Sequence, residues 1–63
     1  MIELTKLNDS KLTVNAEIIE LVEETPNTVI TLTTGKKLIV QESREEITDL
    51  VIKYKRAIYA SDL

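Results

Sequence analysis

Hydrophobic and polar positions change period twice along this chain, and the changes divide it into strands followed by one helix. Ile2 and Leu4 alternate with Glu3 and Thr5, and Leu12 and Val14 alternate with Lys11 and Thr13, the period-two pattern of half-buried strands. Asn8-Asp9-Ser10 between them is a turn cluster, so the two runs predict a first hairpin. Thr28 to Thr33 is almost entirely β-branched residues and leucine, and Lys37 to Val40 reads as its return strand. Gly35, the chain's one glycine, falls between them where a tight hairpin needs a positive φ. Asn15 to Glu24 admits two readings. Asn15 could cap a short helix in which Ile18, Ile19 and Val22 share a face; the pattern is read here as a turn at Asn15 to Glu17 followed by a strand from Ile18. The turn signal Thr25-Pro26-Asn27-Thr28 then leads directly into the next strand.

The period lengthens after Val40. Ser43 and Glu46 have the spacing of a capping box, and Glu45 and Glu46 sit at the positive end of the helix dipole. Lys53, Lys55 and Arg56 lie toward its other end. The helix is expected from about Arg44 to about Ala60. Ile47, Leu50, Val51, Tyr54 and Ile58 fall within an arc of about 100° at 3.6 residues per turn, the width of one core-facing stripe. Tyr54 is thus expected in the core with its hydroxyl at the edge. A second apolar line, Ile52, Tyr59 and Leu63, lies more than a quarter-turn away. It reads either as scattered surface side chains or as an interface with a second copy or another protein, with Lys55 and Arg56 as a basic rim. The fold class is α+β: a bent antiparallel sheet of four to five strands over about residues 2–41, then one amphipathic C-terminal helix, all in a single domain over residues 1–63.

Composition narrows the chemistry. At 63 residues the core is thin, and with neither Cys nor His the chain has no disulfide, no thiolate or imidazole metal ligand and no general base of the usual kind near neutral pH. Oligomerisation is the remaining means of support for so small a scaffold, so a homo-oligomer is expected. No motif marks a nucleophile: Ser43 is accounted for by capping, and Gly35-Lys36-Lys37 lacks the preceding glycine of a phosphate loop. No catalytic residue, metal or cofactor is expected. No apolar run approaches the roughly 18 residues of a membrane span, and Met1 to Asn8 lacks the order of a signal peptide. The expectation is a cytoplasmic chain with no direct membrane insertion.

The net charge of −3 is uneven. Residues 1–42 carry four Lys against seven acidic groups, whereas residues 43–63 carry four of each sign. Glu17, Glu20, Glu23 and Glu24 form an acidic run without a cation, read as a solvated strand edge that resists edge pairing, or alternatively as a surface for a cation or a basic partner. Lys36 and Lys37 keep the hairpin tip soluble, or bind an acidic protein surface.

The order MIELTKLN, then VNAEIIELVEETPNTVITLTTGKKLIVQES, then an amphipathic helix ending near IKYKRAI closely resembles the FlbD family of flagellar and swarming-motility proteins, also called the SwrD family. The likeness covers about the first 58 residues. Its most specific part runs from Asn15 and Ala16 through Thr25 to Leu32, and on to Gly35-Lys36-Lys37 and Glu42-Ser43. The resemblance implies a non-enzymatic cytoplasmic accessory protein of bacteria, peripheral at the flagellar motor and supporting it or its stator by protein contact. It brings no functional residues with it, so the interface residues Ile52, Lys55, Arg56, Tyr59 and Leu63 rest on the helix pattern alone. A weaker similarity joins the opening MIELTK and the stretch SREEI at Ser43 to Ile47 to the carbon storage regulator family of small dimeric RNA-binding proteins. That alternative implies Leu4, Lys6 and Arg44 beside an RNA loop. The middle of the chain departs from it, the net charge offers little to neutralise phosphates, and both aromatics sit on the helix.

Overall fold

The computed structural model describes residues 1–60. Two antiparallel ribbons meet in one bent sheet. β1 (Ile2–Thr5) pairs with β2 (Lys11–Val14) in the register Ile2 to Val14 and Leu4 to Leu12, which sends the apolar residues of both strands to one face. Asp9 closes their loop at φ 70°, and the Asn8 side chain accepts from the Ser10 N–H and hydroxyl. A 3-10 turn at Ala16–Ile18 then reverses the chain, with the Asn15 side chain accepting from the Glu17 N–H at 3.0 Å. The two readings of this segment thus both hold in part: Asn15 does cap a helical turn, and a strand follows at once.

That strand, β3 (Ile19–Glu24), pairs with β4 (Thr28–Leu32), which pairs in turn with β5 (Lys37–Val40). The register of β3 shifts between Ile19 and Leu21, a bulge at Glu20. The turn between β3 and β4 contains a cis Thr25–Pro26 peptide. Between β4 and β5, Gly35 adopts φ 92°, and the Leu32 carbonyl accepts from its N–H at 2.8 Å. The ribbons join where Lys6 bridges Val40 and the Gln41 N–H donates to the Thr5 carbonyl at 2.8 Å. Strand order across the bend is therefore β2-β1-β5-β4-β3.

Helix α1 (Arg44–Ala60) starts as its sequence prescribes. The Glu46 N–H donates to Ser43 Oγ at 3.1 Å and the Ser43 N–H donates to Glu46 Oε1 at 2.9 Å, a complete capping box. The helix covers the concave side of the sheet through β1 and β3. Its Ile47 joins Ile2, Leu4, Val14, Ala16, Ile30, Leu32 and Val40 in the buried core, with Leu50, Val51 and Tyr54 half-buried around them. Ile58, the last residue of the expected stripe, is 38% exposed, where Ile47 is buried and Leu50, Val51 and Tyr54 are half-buried. Burial therefore falls off toward the end of the helix, after Tyr54. The radius of gyration is 12.0 Å, against about 10.6 Å for a compact chain of this length, and the longest extent is 40 Å against 23 and 18 Å for the others.

Candidate partner surface

The junction between sheet and helix is where polar groups concentrate. Glu42 sits between β5 and α1, and its two carboxylate oxygens accept from the Thr5 N–H and the Thr5 hydroxyl, each at 2.8 Å. Lys11 Nζ donates to the same hydroxyl oxygen at 3.0 Å. Burial pushes the Glu42 carboxyl up, but the hydrogen bonds from Thr5 and the nearby Lys11 charge outweigh it and hold the group below its usual value. Beside it, Gln41 Nε2 donates to the Lys6 carbonyl and to Asp9 Oδ1, both at 2.8 Å. Adjacent residues Gln41 and Glu42 thus fasten the end of β5 to β1 and to its loop. Glu24 does the same for the other ribbon: its Oε1 accepts from the Arg44 N–H at 3.0 Å, at the start of α1. One member of the acidic run is therefore spent on the helix dipole rather than on solvent.

An open depression of about 360 Å³ lies between the first hairpin and the first half of α1, lined by Glu3, Lys11, Glu42, Glu46, Asp49, Leu50 and Lys53. Two of its four carboxylates have structural duties. Glu42 binds Thr5 and Glu46 caps the helix. Among the described residues no three His, Cys, Asp or Glu side chains are placed to hold a metal ion, and no helix is long and apolar enough to cross a membrane.

The helix arm is different. Tyr59 is 65% exposed and Ile52 43% exposed, and Lys55 and Arg56 are exposed beside them. Between Val51 and Ala60 the chain carries Lys53, Lys55 and Arg56 and no acid. The structure thus places four of the five expected interface residues on the exposed face of the distal half of α1; the fifth, Leu63, lies outside the described residues. The alternative set does not converge in the same way. Leu4 is fully buried among the core side chains, where no RNA reaches it. Lys6 and Arg44 are exposed, and their backbone groups are engaged by Gln41 and Glu24.

Fold and surface together describe a small antiparallel-sheet protein closed by one helix and fastened by polar clasps at Gln41, Glu42 and Glu24. The chain belongs to the FlbD family, described as flagellar and swarming motility proteins, whose family model matches residues 1–59. Membership agrees with a non-enzymatic accessory role. No curated protein and no solved structure gives a significant match.

Proposed function

We propose that this protein is a cytoplasmic adaptor of bacterial flagellar motility that contacts a motor or stator component, at the motor's periphery, through the distal half of α1. Ile52 and Tyr59 are the anchors, Lys55 and Arg56 the basic rim, and Leu63 continues their line. One observation carries this reading: the most exposed large apolar side chain of the described residues, Tyr59 at 65%, stands on α1 beyond Tyr54, the last helical residue packed against the core. A helix that served only to close the core could end soon after Tyr54. Aromatic side chains bordered by positive charge are the composition that protein interfaces favour.

The test is complementation in a motile bacterium lacking its own copy of the gene, read as the rotation speed of tethered cells. Wild type restores the speed, whereas Tyr59→Ala, accumulating to the same level, does not. Full restoration by Tyr59→Ala, or an unchanged speed in the deletion strain, would overturn the assignment.

A further inference from the structure

A second unpartnered surface lies on the convex side of the sheet, opposite the helix. Residues that face one another across antiparallel strands project to the same side. The register therefore sets two rows there: Leu21, Thr31 and Lys37 in one, Glu23, Val29 and Ile39 in the other. Leu21 is 53% exposed and Ile39 47% exposed, with half-buried Val29 between them across the strands. On the β3 side this apolar diagonal is bordered by Glu20 at the bulge and by Glu23. From Glu17 to Glu24 the chain holds four carboxylates and no cation; from Val51 to Ala60 it holds three cations and no acid. Among the described residues, no hydrogen bond or ion pair engages the side chains of Glu20, Glu23, Lys55 or Arg56.

These two surfaces complement each other in charge and each has an apolar centre. They cannot meet within one chain, since α1 is docked on the opposite face of the same sheet. We infer that a second copy of this chain is the occupant: the basic distal half of α1 in one copy seats on the acidic convex face at β3 of the next. The segment fits within the strand's length, as ten helical residues span about 15 Å and the six residues of β3 about 20 Å. The arm lies toward β3 rather than β5, where Lys37 would repel Lys55 and Arg56. Such a contact joins two different patches, so it is head-to-tail, and it closes into a ring or continues as a chain of copies. This inference rests on the reading of the distal helix as a contact surface, and adds the surface that receives it.

The experiment is sedimentation velocity on the purified full chain from micromolar to millimolar concentration, with two charge-reversed variants, Lys55→Glu/Arg56→Glu and Glu20→Lys/Glu23→Lys. Wild type should gain mass with concentration and lose it as salt rises. Each variant alone should remain monomeric, and an equimolar mixture should associate again because each supplies a complementary patch to the other. A wild type that stays monomeric throughout, or a mixture that does not associate, overturns the inference. So does a sheet variant that associates as well as wild type, which would place helix against helix. If either variant fails to fold, the salt titration of wild type decides: association indifferent to salt overturns the proposal. A monomeric wild type together with loss of rotation in Tyr59→Ala would remove the self-contact and leave the adaptor reading standing.

Discussion

Ile47 is the residue through which α1 is pinned, and its truncation gives the sharpest test of how the fold is held. It is 1% exposed and, among the described residues, is the one member of the buried core that α1 supplies. Ile47→Ala removes the branched end of that side chain from the buried core and leaves a cavity. A buried Ile→Ala change costs about 2–5 kcal/mol. A domain this small has only about 3–5 kcal/mol in total, so a central cost of about 3 kcal/mol brings the variant close to its midpoint at room temperature. At roughly 4–8 °C per kcal/mol, the melting temperature should fall by about 12–24 °C. Thermal and urea unfolding followed by far-UV circular dichroism measures this, with Tyr59→Ala as the comparison. Tyr59 is 65% exposed, and its truncation should stay within about 0.5 kcal/mol of wild type. Equal losses in the two variants, or an Ile47→Ala protein as stable as wild type, would refute the claim that the helix is docked by its first half only.

Two further outcomes follow from the polar clasp and the second hairpin. Because the Glu42 carboxyl is held below its unfolded value, its contribution is fully present above the usual Glu range near pH ~4.3 and is lost as pH falls through the lowered folded value. Acid unfolding of wild type and Glu42→Gln should therefore differ most at neutral pH and converge in acid; a constant gap would exclude the linkage. Gly35→Ala should cost about 1–2 kcal/mol by urea unfolding, from its φ of 92° alone, since an added Cβ meets nothing within 4 Å; no loss would mean that the loop relaxes.

Elements whose signals are local were readable from the chain. The hairpin turns at Asn8-Asp9-Ser10 and Gly35, the proline turn and the Ser43–Glu46 box each carry their instruction within a few residues, and each occurs where its chemistry requires. What stayed hidden depends on partners far along the chain. Gln41 and Glu42 carry no local signal for their partners, yet they hold Lys6 and Thr5, over 30 positions away. Glu24 read as part of a solvated edge until the helix start was seen to bring the Arg44 N–H to it. Ile58 shows the limit of periodicity: it has the helical phase of the core stripe yet is 38% exposed, since phase fixes a direction and not a depth. The exposure of Ile52 and Tyr59 was legible in the helical phase, which turns both away from the stripe that packs on the sheet.

The account stands on the distal half of α1 being a contact surface that folding does not need. The most direct measurement is the rotation speed of tethered cells carrying Lys55→Glu/Arg56→Glu as the only copy, at wild-type protein level and with an unchanged unfolding midpoint. A speed near that of the deletion strain is predicted; wild-type speed would contradict the account.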